Sequence, residues 1–392
     1  MPIQSLDAYD MSAERGFLCR YDAGAVVFDE DWLLASEVAM TLPQVMPSGQ
    51  VRTFLEEELP GGDIVDDLPR LNDQQARMAM VHYSFMVQAY VWGEPDAPTS
   101  LPEVLARPMV ALADRLGQQP LLPYTGYVLD NWSMIDPDGP IDLSNTYMIQ
   151  NFLSGLDEAW FVLVHVAIEA RAGAALDAFG RIVAHVEAGN AAGVQDELEA
   201  MADVWKDINA IFDRMPEACD PYIYFERVRP YIHGWKDNPA LPNGLIYEGV
   251  EKYNGQPQAF RGQTGSQSSI VPSMDALLGV GHAADPLKAY LDELHIYRPP
   301  GHRRFIEDVR ASSNLRAFVS EQGNPDLTQA YNAIVQAVAD FRSRHLEYAA
   351  SYINKQNRGA TGNDVEVGTG GTPFMKYLKK HRDETRERLL AV

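Results

Sequence analysis

Cysteine is scarce: Cys19 and Cys219 are the only two in 392 residues. With no CxxC spacing, the pair indicates neither a disulfide framework nor a thiolate zinc site, and a reducing cytoplasm is the expected compartment. Positive charge is also in short supply. Asp plus Glu number 55 against 32 Lys plus Arg, a formal charge of -23. Such a surface repels polyanions and anionic lipid, so neither nucleic acid nor a membrane is an expected partner. The most apolar stretch, Trp160 to Ile168, is far shorter than the ~20 residues of a membrane helix, and no basic segment leads into an apolar run at the start. The chain is therefore expected to be neither secreted nor membrane-spanning. HExxH and GxSxG are absent. Gly279-Val280-Gly281 imitates a dinucleotide turn but follows a helical pattern instead of a strand, and Gly368 to Thr372 lacks a P-loop lysine.

What is present is a foldable core. Hydrophobic residues make up 46% and charged ones 22%, the balance of a globular protein, and the length suits two or three compact units at ~150 residues each. Pro137 and Gly139-Pro140 mark a boundary between a smaller N-terminal domain, 1–140, and a larger one, 141–392. Periodicity beyond it is helical nearly throughout, so the expected fold is mainly α, a large all-helical domain with a smaller, mostly helical one. Helices are expected over about Asp73 to Trp92, Ser144 to Glu187 and Asn324 to Asn354, and in an amphipathic stretch with Leu198, Met201, Trp205, Ile208 and Phe212 on its inward stripe. Leu121 to Trp132 reads as extended, and the Gly- and Ser-rich passage from Asn238 to Ser269 as a long irregular loop of the kind that carries function.

Three of the nine histidines, His82, His165 and His345, fall on apolar helical stripes. Periodicity allows a bis-histidine haem, a single metal site or three hydrogen-bonded core residues, and does not choose among them. His165 and Glu169, four residues apart, have the spacing of a shared metal but also of a local hydrogen bond. In Tyr224-Phe225-Glu226-Arg227-Val228-Arg229, the arginines read either as surface charges or, for Arg229, as a two-pronged clamp on a ligand carboxylate.

Several blocks together resemble the indoleamine 2,3-dioxygenases, haem enzymes that cleave the indole ring of tryptophan. They are Gly234-Trp235-Lys236-Asp237-Asn238-Pro239, Gly244-Leu245-Ile246-Tyr247-Glu248-Gly249, Gln267-Ser268-Ser269, Asp275-Ala276-Leu277-Leu278-Gly279, Pro299-Pro300-Gly301-His302-Arg303 and Gly368 to Thr372. Ala89-Tyr90-Val91-Trp92-Gly93 and Asn131-Trp132 carry the likeness into the first domain. The resemblance implies haem b between the two domains, with His345 as proximal iron ligand, Asp275 behind it as the partner orienting the imidazole, and Arg342 near a propionate. Phe161 and Thr264 would border the cofactor.

It further implies a substrate pocket of Tyr124, Tyr127, Phe161, Tyr224, Phe225 and Arg229. A glycine-rich lid holding Thr369 and Thr372 would close over it. L-tryptophan or a related indole, dioxygen and an external reductant are the implied partners of a monomeric chain, and N-formylkynurenine is the implied product. His165 departs from the serine usual in the animal enzymes. It is similar to the distal histidine of the related tryptophan 2,3-dioxygenases, placed to meet the indole N–H or bound dioxygen. Tyr224 in place of phenylalanine and Tyr127 in place of cysteine make the pocket more polar and narrower. The competing expectations are a same-fold oxygenase of another indole and a haem-binding or haem-sensing protein without turnover.

Overall fold

The structure, a computed structural model, describes residues 3–282, 284, 286–356, 369 and 374–391. Among them the fold is mainly α, with two small two-stranded pairings and no closed sheet. Asp73–Trp92 is a helix buried on nearly every side, and its start is fixed by a reciprocal capping box between Asn72 and Gln75. Pro325–Tyr352 begins equally firmly, because the Asn324 side chain accepts from the backbone N–H groups of Asp326 and Leu327. Leu156–Glu187 packs on Ala191–Phe212, which packs on Pro325–Tyr352, and that helix in turn packs on Phe374–Arg386. Stacking of Phe212 on Phe341 at 4.7 Å and the edge contact of Trp205 with Phe341 at 5.9 Å hold the middle pair together. Each large side chain buried this way stabilises the fold by roughly 1.5–3 kcal/mol.

Two expected elements differ. The long apolar helix starts at Leu156, not near Ser144, because Thr146–Met148 pairs antiparallel with Trp132–Met134. The Glu158 carboxylate then accepts from the backbone N–H groups of Phe152 and Leu153, closing the loop before the helix. Thr125–Leu129, expected to be extended, forms one π-helical turn that is wholly buried. The Leu156–Glu187 helix is the one element among the described residues long and apolar enough to cross a bilayer by length and composition. Most of its apolar window is buried inside the protein, as in the core helix of a soluble fold.

Residues 5–20 run against that helix. Gly16 has φ +57, and a Cβ there would strike the Glu169 carbonyl, while one at Gly173 would strike the Ala13 carbonyl. Only glycine permits both the left-handed backbone and the close approach. One continuous hydrophobic cluster reaches from Tyr9 to Tyr352.

Candidate active site

A cavity of about 720 Å³ lies where the Leu156–Glu187, Ile270–Leu278 and Pro325–Tyr352 helices meet. His165 and Glu169, Asp275, and Arg342 and His345 border it, one group from each helix. The volume falls in the range of small-molecule and cofactor sites.

Hydrogen bonding separates the three stripe histidines that periodicity could not. His82 is fully satisfied: Nδ1 lies 3.0 Å from Gln150 Oε1 and Nε2 3.2 Å from Ser36 Oγ. It is a core residue. His165 Nδ1 lies 2.7 Å from the Phe161 carbonyl, which only accepts, so Nδ1 carries the proton and Nε2 the lone pair. Neither ring nitrogen of His345 has a hydrogen bond among the described residues; its ring meets Phe212 edge-on at 6.4 Å. Burial, reinforced by His165 and Arg342, pushes His345 down to about 4, and burial also lowers His165. At neutral pH both rings are uncharged. A neutral, desolvated imidazole without a hydrogen bond, bordering a cavity, has the donor chemistry of an axial iron ligand, so His345 fits a haem.

Around His165 the aromatics interlock. Phe161 lies 4.7 Å from His165, 4.7 Å from Tyr224 and 6.4 Å from Tyr127 between ring centroids, and Tyr124 lies 6.2 Å from His165. His165 and Glu169 share no hydrogen bond among the described residues: Glu169 Oε1 accepts from Tyr124 at 2.9 Å and Ser268 at 2.8 Å, and His165 Nδ1 bonds within its own helix. Burial raises the Glu169 carboxyl to about 7, against the two hydroxyls. Tyr124 was expected in the substrate pocket and Glu169 was weighed with His165, but their bonding to each other and to Ser268 was not foreseen. An acid within an apolar helical stripe was its only signal.

Arg229 is not a surface charge; it is 0% exposed, whereas Arg227 is exposed. A π turn over Tyr224–Val228 followed by a 3₁₀ turn over Arg229–Ile232 brings Tyr224, Phe225, Val228 and Arg229 all inward. The guanidinium sits 5.5 Å over the Phe225 ring. Burial and the Arg229 charge push His233 down to about 3. Tyr127, Phe161, Tyr224, Phe225 and Arg229 form a layer behind His165 and do not line the cavity wall, while Tyr124 does.

Asp275 differs from expectation. Among the described residues its carboxylate makes no bond to His345; it accepts from Arg342 at 3.1 and 2.7 Å and lies 3.4 Å from His282 Nε2. Arg342, expected at a propionate, is thus engaged in a buried ion pair and also donates to Thr385. Burial alone would raise Asp275, but Arg342 and His282 outweigh it and hold the carboxyl at about 2. Since an unfolded aspartate titrates near ~3.9, the pair's contribution is complete above that pH and is lost as pH falls toward 2. Asp275→Asn, which strands a buried guanidinium, should cost about 3 kcal/mol at pH 7. In urea unfolding the deficit against wild type should shrink below pH 4, and a pH-independent deficit would contradict the ion pair as its source.

Thr264 caps a short turn, accepting from the Ser266 N–H at 3.4 Å, beside the cavity residue Gly265. Thr369 donates to the Gln263 carbonyl at 2.5 Å, and its own carbonyl accepts from Gly234. Thr372 lies outside the described residues.

Comparison with known proteins gives one family throughout. The profile of the family described as indoleamine 2,3-dioxygenase matches residues 5–388. The chain is 34% identical to indoleamine 2,3-dioxygenase 1 of Rattus norvegicus over 379 residues, covering 92% of this chain and 89% of that one. It is 32% identical to indoleamine 2,3-dioxygenase 2 of Homo sapiens over 407 residues, covering 98% and 96%. It is 31% identical to indoleamine 2,3-dioxygenase of Saccharomyces cerevisiae over 431 residues, covering 98% and 93%.

Proposed function

Because the chain belongs to the indoleamine 2,3-dioxygenase family of haem-dependent dioxygenases, we propose that it inserts both atoms of O2 across the indole C2–C3 bond of L-tryptophan, yielding N-formylkynurenine. The observation that carries this reading is the unbonded imidazole of His345 at a cavity shared with a second neutral histidine, His165. Haem b, when bound, supplies the ferrous iron at which dioxygen is activated.

The chain's own residues bind and orient. His345 holds the iron. The Asp275–Arg342 pair braces the cavity three residues before His345, tying its helix to Ile270–Leu278. With Nδ1 committed to the Phe161 carbonyl, neutral His165 presents an acceptor at Nε2. That favours a bond from the indole N–H over a donor bond to oxygen. Since Arg229, Phe161, Tyr224, Phe225 and Tyr127 lie behind the cavity wall, substrate entry must open that layer; Arg229 then takes the carboxylate with two parallel N–H bonds, Phe161, Tyr224 and Phe225 flank the ring, and Tyr124 and Tyr127 limit its depth. Thr264 borders the cofactor beside Gly265. The segment anchored at Thr369 closes over the substrate and excludes water. Residues 1–140 act as the smaller domain over the substrate side and 141–392 as the haem-binding domain. The working form is a cytoplasmic monomer served by an external reductant.

The deciding experiment gives the ferrous protein L-tryptophan in air and measures N-formylkynurenine. Product from another indole alone would move the substrate assignment, and an intact haem spectrum with no product from any indole would leave a non-catalytic haem protein. For His165, the ratio of kcat/KM for tryptophan to that for 1-methyltryptophan should fall about tenfold in His165→Ser, the worth of one hydrogen bond to a buried partner. An unchanged ratio removes the indole contact.

A further inference from the structure

We propose that His282, His381 and Glu384 form a second metal site, for a divalent transition ion of the zinc type, beside Asp275. His282 follows the Ile270–Leu278 helix, whereas His381 and Glu384 lie three apart, on one face of Phe374–Arg386. Each offers one ligand atom, and the three atoms lie within 4.8 Å of one another. Glu384 Oε2 is 2.5 Å from His282 Nδ1, and the two imidazole rings are 4.7 Å apart.

The second observation is His381 itself. Its residue is only 9% exposed, and among the described residues Nε2 has no hydrogen-bond partner. A buried ring nitrogen left in this way is destabilising, and a metal ion satisfies it.

The surroundings favour ligation over a simple ion pair. Behind His282, Asp275 Oδ2 lies 3.4 Å from Nε2 while Nδ1 faces Glu384. A carboxylate on the far nitrogen is the arrangement that orients a metal-bound imidazole and raises its basicity. Lys380 sits on the other Glu384 oxygen, 3.3 Å from Oε1, leaving Oε2 toward the histidines. Two imidazoles and one carboxylate suit zinc and its neighbours, not calcium or magnesium, which prefer oxygen shells. Tetrahedral bonds to zinc set ligand atoms ~3.3 Å apart, so no pair closes by more than about 1.5 Å and the His282–Glu384 pair opens by about 0.8 Å, both within reach of side-chain rotation. Three protein ligands leave a fourth position open. His282 and His381 also border the cavity. A bound ion would join Phe374–Arg386 to the segment after Ile270–Leu278 and, through Asp275, to Arg342.

Haem-loaded, full-length protein is treated with chelator, titrated with zinc sulfate by calorimetry, and assayed for zinc per chain after dialysis. One zinc per chain is expected, with affinity lowered on the order of 100-fold in His381→Ala and in Glu384→Gln. His295→Ala, which breaks the separate pair of His295 with Glu307, should change affinity by less than about twofold. Zinc should raise the melting temperature of wild type and not of the two ligand variants. No zinc retained by wild type would reduce the cluster to an ion pair, and equal retention in Glu384→Gln would mark an adventitious ion only. Glu384→Gln keeps the side chain's shape and decides the matter even if His381→Ala does not fold.

Discussion

His345→Ala is expected to cost the purified protein most of its haem, at least about tenfold less Soret absorbance per chain after reconstitution, since the axial ligand is its principal bond to the cofactor. The apoprotein should be nearly as stable as wild type. His345 makes no hydrogen bond among the described residues, so its loss strands no partner, and truncation at a cavity wall opens no new buried void. A structural role would give the reverse, a melting temperature lowered with haem binding retained. His82 cannot take over, because both of its nitrogens are engaged. His165, with Nε2 unprotonated, borders the same cavity, as do His282, His295 and His381. An unaltered five-coordinate histidine spectrum in His345→Ala would therefore move the ligand assignment to another of these histidines.

Arg229→Ala should lower kcat/KM for L-tryptophan by about 100- to 1,000-fold, the worth of a desolvated two-pronged carboxylate contact. Tryptamine, which lacks the carboxylate, should change by less than about fivefold, within the effect of lost packing on Phe225. Arg229→Lys sharpens the test. A lysine keeps the charge and fills much of the space but cannot form two parallel bonds, so it should lose most of the tryptophan activity while keeping the fold. Equal losses on tryptophan and tryptamine would show that Arg229 serves packing alone.

The strongly periodic helices were legible because caps and apolar stripes agree: Asp73–Trp92 matches its expected bounds, and Pro325–Tyr352 its expected start. Errors fell where long-range partners decide. Thr146–Met148 has helical neighbours in sequence but a strand across from it, and the π turn at Thr125–Leu129 exists within a buried environment that no local pattern announces. For the site, an apolar stripe finds a buried histidine and stops there. What distinguishes His345 from His82 is the absence or presence of Gln150 and Ser36, residues remote in sequence from each other. Asp275 was singled out by resemblance alone, and its partner, Arg342, lies 67 positions away. The His282–His381 contact left no mark in sequence at all.

The seat of residues 5–20 has a consequence for how the molecule is made. Tyr9 donates to Asp308 at 2.7 Å, across 299 positions, while Gly16 is pressed on the His165 helix. Arg342 waits for Thr385. Such distant pairings close slowly, because the chain entropy of a long loop is lost before any contact repays it. At ~5–20 residues per second, the helix of His165 leaves the ribosome about 10–40 s before His345 exists. Through much of that interval the parts of its face that meet Ile270–Leu278 and Leu315–Gln322 have no partner yet. Cofactor capture through His345 thus belongs to the finished chain and not to the nascent one.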